Sequence, residues 1–141
     1  MIAIRPLIRP LQLDIISGEV VDAAMKVHSA LGPALLEKVY VACLAYELRS
    51  RGLGVAVDVS IPIMYKDVRM ESALRLDMIV ENAVIVEVKV VKQLHPVYEA
   101  QLLSYLALSD RQVGLLINFF VVHLRNGIKR MVSRAPTRET V

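Results

Sequence analysis

Residues 74–90 read Leu74-Arg-Leu-Asp77-Met-Ile-Val-Glu-Asn-Ala-Val-Ile-Val-Glu87-Val-Lys89-Val90, two greasy strand-like runs with two acids and a lysine embedded in them. Charges in such a setting cost several kcal/mol unless something compensates them. Antiparallel partners lie opposite one another when their numbers sum to a constant, and a three-residue loop at Glu81-Asn82-Ala83 makes that constant 164. Leu74, Leu76, Met78 and Val80 then pair with Val90, Val88, Val86 and Val84, an entirely apolar face. The other face pairs Arg75 with Lys89, Asp77 with Glu87 and Ile79 with Ile85. A two-residue loop would put the two acids on opposite faces and mix charges into the core. The hydrophobic pattern therefore selects the hairpin that brings Asp77 and Glu87 together.

Directly opposed side chains have Cβ atoms about 4.5–5.5 Å apart, and like charges there repel. Arg75 and Lys89 next door could relieve that repulsion as a four-charge surface patch. A hard divalent cation held by both carboxylates would relieve it too. Placement favours the cation, because Val84 to Val90 is otherwise too apolar for a routine solvated strand. Acid-x-Lys alone is a weak signal. An acid, about ten residues, then Glu-x-Lys on a paired strand is considerably stronger.

Working outward, residues 1–16 show no clean period and are expected to form an extended arm. Ser17 is placed to cap a helix from about Glu19 to Leu31, with Val20, Ala24, Val27 and Leu31 as its buried stripe. Gly32-Pro33 ends it, and a second helix runs through Leu36, Tyr40, Leu44 and Leu48 to Gly52. The period then changes to two: Val55 to Ile61 and Ile63 to Tyr65 read as strands around Pro62, followed by the hairpin over 73–91. A third helix is expected from Pro96 to Leu108 and a buried strand from Val113 to Phe119. Val121 to Leu124 and Ile128 to Val132 flank Asn126-Gly127, a hairpin turn signal. The order predicts an α/β or α+β domain on a mixed sheet, with an arm (1–16), one domain (17–132) and a flexible basic tail (133–141).

Composition narrows the function classes. The 141 residues are 55% hydrophobic, long enough for one real core. No apolar run reaches the roughly 18 residues of a membrane span, and the start of the chain does not read as a signal peptide. The single Cys43 rules out an internal disulfide and suits a reducing compartment, so a cytoplasmic location is expected. A net charge of +3 and pI near 9.2 permit nucleic-acid binding. Arg125, Lys129, Arg130, Arg134 and Arg138 face only Glu139 among acids after position 120. His28, His95 and His123 lack zinc-ligand spacing, and no phosphate-binding glycine loop, Cys pair or nucleophilic Ser/His set is present.

Asp77 followed by Glu87-Val88-Lys89 resembles the PD-(D/E)xK nuclease signature, and the wider chain resembles the GxxExxY group within that superfamily. The supporting segments are His28-Ser-Ala-Leu-Gly-Pro-Ala34-Leu-Leu-Glu37-Lys-Val-Tyr40, Arg75-Leu-Asp77, Glu99-Ala-Gln101-Leu-Leu-Ser-Tyr105-Leu and Val113-Gly-Leu-Leu-Ile-Asn118-Phe. They run in order over roughly residues 15 to 132. Ala34 stands at the first glycine of the group's name motif, and Leu76 replaces the superfamily's proline. The resemblance implies a restriction-endonuclease-like αβββαβ core with a mixed central sheet flanked by helices.

It also implies roles. Asp77 and Glu87 would hold Mg²⁺ or Mn²⁺, with the Val88 carbonyl as a third protein ligand and Lys89 beside the phosphate. Glu37 is placed in the first turn of a helix, where the dipole alone would favour it, yet it shares a face with Tyr40 and Leu44 and would join the metal site. Gln101 and Tyr105, four apart on a helix face with Tyr98, would orient Lys89 or touch the backbone of the nucleic acid. Lys129 and Arg130 would bind substrate. The expected activity is hydrolysis of phosphodiester bonds in nucleic acid, DNA first, with pairing of two copies as a homodimer in keeping with it. The alternative is a catalytically silent nucleic-acid-binding or oligomerisation domain on the same fold.

Overall fold

The computed structural model describes residues 10–133; positions 1–9 of the expected arm and 134–141 of the expected basic tail, Arg134 and Arg138 among them, lie outside the described residues. Helix α1 spans Pro10–Leu31 and α2 spans Glu37–Ser50. Strands β1 (Val55–Tyr65), β2 (Val68–Val80) and β3 (Val84–Lys89) follow, then α3 (Pro96–Ser109), β4 (Val113–Asn118) and β5 (Ile128–Val132). Among the described residues the strands form one sheet in the order β1-β2-β3-β4-β5. Only β3 and β4 are parallel, joined by the α3 crossover, and the other neighbours are antiparallel. This is the mixed sheet with flanking helices that the sequence predicts, an α+β, restriction-endonuclease-like arrangement.

The helices divide between the two faces. Val84, Val86 and Val88 of β3 and Val113, Leu115 and Ile117 of β4 pack against α1 and α2 through Val20, Ala24, Leu44 and Leu48. Ile85 and Leu116 point the other way, onto Leu102 and Leu106 of α3. Gly114 permits that close docking: a Cβ there would stand 2.9 Å from Leu102 Cδ1.

The hairpin between β2 and β3 has the expected register. Met78 pairs with Val86, Ile79 with Ile85 and Val80 with Val84. Glu81 and Asn82 both take left-handed backbone angles, and Glu81 is held by a reciprocal pair in which its N–H donates to Gly54 O (2.7 Å) and its Oε2 accepts from Gly54 N–H (2.8 Å).

The expectation of one continuous apolar face on β2 is corrected. Met78 and Val80 face α1 and α2, whereas Leu76 joins the α3 cluster with Ile79 and Ile85. On β1, Val55 likewise packs on the α1–α2 side while Val59 and Ile61 pack toward α3. Both strands change face at facing positions, Asp58 and Asp77, and Asp58 has a φ of 53°. One left-handed residue breaks the alternation that a pleated strand otherwise imposes.

Other expectations also change. Residues 10–16, expected in an extended arm, form the first turns of α1, because a proline at a helix start has no N–H to leave unbonded. Ser17 lies inside that helix, its hydroxyl donating back to Asp14 O at 3.2 Å. Val55–Tyr65 is a single strand with an irregularity between Ile61 and Ile63, and Val68–Ser72 extends β2 beyond the expected hairpin. Because only Met78–Val80 of β2 pairs with β3, the outer parts of β1 and β2 continue as a two-stranded ribbon. No strand forms over Val121–Leu124. A 3₁₀ turn spans Leu124–Gly127, and a Cβ on Gly127 would stand 2.2 Å from Asn118 O.

Tyr40 connects distant segments. Its ring stacks on Phe119 (4.2 Å between centroids), and its hydroxyl donates to Gly32 O and accepts from Leu35 N–H at 3.2 Å. His28 Nε2 lies 2.9 Å from Val121 O beside the same stack.

Candidate active site

Alternation along β3 turns Glu87 and Lys89 away from the α1–α2 core, and Asp77, just beyond the last β2–β3 pair, meets Glu87 while also lining a groove beside α2. Glu87 holds the backbone of Asp77, and Asp77 holds that of Val88. Asp77 N–H donates to Glu87 Oε1 at 3.2 Å, and Val88 N–H donates to Asp77 Oδ2 at 2.8 Å. Glu87 is buried, at 6% exposure. Burial first, then the neighbouring Asp77 charge, push its carboxyl up from 4.5 to about 8, with the Asp77 N–H and Lys89 pulling the other way. Asp77 itself is half-buried.

Lys89 turns its ammonium over the Tyr98 ring, 4.8 Å from the centroid. Tyr105 is half-buried on α3, and its hydroxyl is pushed up by burial and then by the Glu87 and Asp77 charges, so its ring stands within their field. Asn118 fixes the chain just after Lys89. Its Oδ1 accepts from Val91 N–H (3.1 Å) and Phe120 N–H (3.2 Å), and its Nδ2 donates to Val91 O (2.9 Å). Phe119 N–H donates to Lys89 O at 2.9 Å.

Glu37 is the first residue of α2, exposed, and lines a groove of about 710 Å³ together with Asp77 and Asp58. Tyr40, one turn on, ties that helix start to the α1–α2 loop through Gly32 O and Leu35 N–H. Among the described residues no three His, Cys, Asp or Glu side chains close around a common metal position. The structure thus pairs Asp77 with Glu87 and brings Glu37 to the same groove without completing a three-carboxylate cluster. The contact Val88 makes with the acids is through its N–H.

Gln101 is exposed on α3, one turn before Tyr105. Lys129 and Arg130, at the far edge of the sheet on β5, are engaged by Glu99 and by Asp14 (2.8 Å) respectively. Arg75, expected opposite Lys89, instead forks onto Asp58 with two contacts of 2.7 Å, because the change of face carries it outward. Spacing gives neither Asp58 nor Asn118 a place at the site, and gives Tyr98 only that of a face neighbour of Gln101 and Tyr105. Asp58 gives no signal in an alternating strand; Lys89 and Tyr98, nine residues apart in sequence, meet only through the turn between β3 and α3.

The donor set suits a hard divalent cation. Two carboxylates in contact, one of them buried and holding its proton far above the ordinary range, form a locus where added positive charge is stabilised. The residues present fit Mg²⁺ or Mn²⁺ through Asp77 and Glu87.

Residues 14–131 match the family model described as the PD-(D/E)XK nuclease superfamily. Searches of curated proteins and of solved structures returned no match. With the matched region covering most of the sequence and spanning α1 through β5, the chain belongs to the PD-(D/E)XK nuclease superfamily.

Proposed function

We propose that the protein is a metal-dependent nuclease of the GxxExxY group that hydrolyses phosphodiester bonds in DNA. The observation that carries this is the buried Glu87 carboxylate against Asp77 at the end of β3, with Lys89 one alternation further on the same face. Mg²⁺ or Mn²⁺ held by Asp77 and Glu87 would polarise the scissile phosphate and acidify a water at neutral pH. Val88 N–H fixes the Asp77 carboxylate through Oδ2. Lys89, its carbonyl bonded by Phe119 N–H and the chain just beyond it held by Asn118, would present its ammonium to the phosphate oxygens. Tyr98 confines that ammonium to one side. Glu37 faces the same groove and serves as an outer acid, orienting water. Tyr105 borders the site from α3 with Gln101 one turn before it, and Lys129 and Arg130 would exchange their partners Glu99 and Asp14 for substrate phosphates at the sheet's far edge.

The experiment is cleavage of plasmid and oligonucleotide DNA with Mg²⁺ or Mn²⁺, beside Lys89→Ala. Cleavage by the wild type, with Lys89→Ala losing it while still binding Mn²⁺, supports the reading. No cleavage of any DNA or RNA form with either ion would remove it.

A second reading, a silent nucleic-acid-binding or self-associating domain in the cytoplasm, is favoured by one observation. The ribbon of β1 and β2 exposes Met64, Tyr65, Val68 and Met70, an apolar edge suited to a second copy. A monomer in gel filtration at micromolar concentration removes the self-associating form. Among the described residues no helix is long and apolar enough to cross a membrane.

A further inference from the structure

We propose that the groove between α2 and β1 receives an unpaired nucleobase next to the scissile phosphate, so that the preferred substrate is single-stranded at the cut. This rests on the nuclease reading and adds a substrate class to it. The groove measures about 710 Å³, the size of a small-molecule site. Its floor is apolar and made of small side chains: Val41, Ala42 and Ala45 on α2, and Val57 on β1. Ala42 and Val57 are exposed, so the floor is open to an incoming group.

Charge does not build this groove for a second phosphate. Lys38 and Arg49 stand at its rim, but Arg49 donates to Val55 O at 2.9 Å, Glu37 lines the same groove, and Asp58 there is already paired with Arg75. With Asp77 committed to the cation, the apolar floor is the main feature left for an occupant to meet. A flat neutral group with apolar faces gains most, because covering the floor removes apolar surface from water. Continuity fixes which base it is. Asp77 lines the groove and also belongs to the carboxylate pair, so an occupant is covalently adjacent to a phosphate held there. In a duplex that base is stacked and paired inside the helix, and it reaches a side groove only when unpaired.

The test is binding in Ca²⁺, which occupies hard-oxygen sites while turnover is suppressed, followed by cleavage in Mn²⁺. Fluorescence anisotropy compares a single-stranded oligonucleotide with the blunt duplex of the same sequence, for the wild type, Ala42→Phe and Ala42→Ser. Expected are at least tenfold tighter binding of the single strand by the wild type, loss of that preference in Ala42→Phe, which fills the groove, and its retention in Ala42→Ser. Equal wild-type affinities for the two forms overturn the proposal without any variant, and so does Ala42→Phe keeping the full preference. The two readings fail separately. Discrimination without cleavage in Mn²⁺ keeps the groove and removes the nuclease, while equal cutting of both forms keeps the nuclease and removes the groove.

Discussion

Two acid clusters in this molecule invite comparison. Between α1 and α2, Arg51 sits among Glu19 (3.0 Å), Asp22 (2.8 Å) and Glu47 (3.5 Å), with Lys26 also on Glu47 at 3.2 Å. At the end of β3, Asp77 and Glu87 touch each other, and the nearby lysine lies over a tyrosine ring. The first cluster contains its own counterion and closes on itself, clamping two helices. The second is more deeply buried, and its acidity is distorted by the burial. What separates a clamp from a site is whether the chain supplies the balancing cation.

The sharpest way to break that distinction is Asp77→Ala. Cleavage should fall by about 10³-fold or more, together with loss of the Mn²⁺ signal in isothermal titration. Retained cleavage would make the pair another clamp. Next comes the pH response of the metal-free protein. Below about 4.5 Glu87 is protonated in both folded and unfolded chains, and its contribution to stability is fully present. As pH rises toward about 8, the unfolded chain sheds the proton while the folded one keeps it, so stability falls. The slope approaches about 1.4 kcal/mol per pH unit for one proton. Urea unfolding in EDTA between pH 5 and 8 should show that decline in the wild type and its disappearance in Glu87→Gln. A flat wild-type profile would contradict the buried, cation-deficient description. The smallest effect belongs to the closed cluster. Arg51→Ala should cost on the order of 1 kcal/mol, shrinking in high salt, and leave cleavage within twofold. A large loss of activity there would show that the clamp and the site are energetically joined.

Much of this was legible in the sequence because the inner strands are buried and read as apolar runs. The apolar pattern selected the β2–β3 register, and with it the Asp77–Glu87 contact. Helix α3 and strand β4 were legible for the same reason. The outer ribbon was less so: Val68-Arg-Met-Glu-Ser faces water on both sides, and alternation carries no phase there. Gly18 and Ser17 look like helix breakers, yet α1 runs through them, because α1 packs its Val20–Val27 stripe on the core and packing outweighs propensity. The partners of Lys129 and Arg130 come from α3 and α1, contacts that no spacing along the chain encodes. The change of face at Asp58 and Asp77 is the largest miss. It depends on a single left-handed residue, and it is what opens Asp77 to the α2 groove.

The Tyr40–Phe119 stack has a consequence in time. The two carboxylates lie on one tight hairpin, which closes with a short loop and forms early. Tyr40 and Phe119 come from opposite halves of the chain, and their stack can close only after the α3 crossover has laid β4 beside β3. The ring packing beside the start of α2, and the segment that steadies Lys89, are therefore completed only with the sheet. On the nuclease reading, a half-made or half-folded chain holds the acids without their neighbours, and cutting power arrives only with the finished fold.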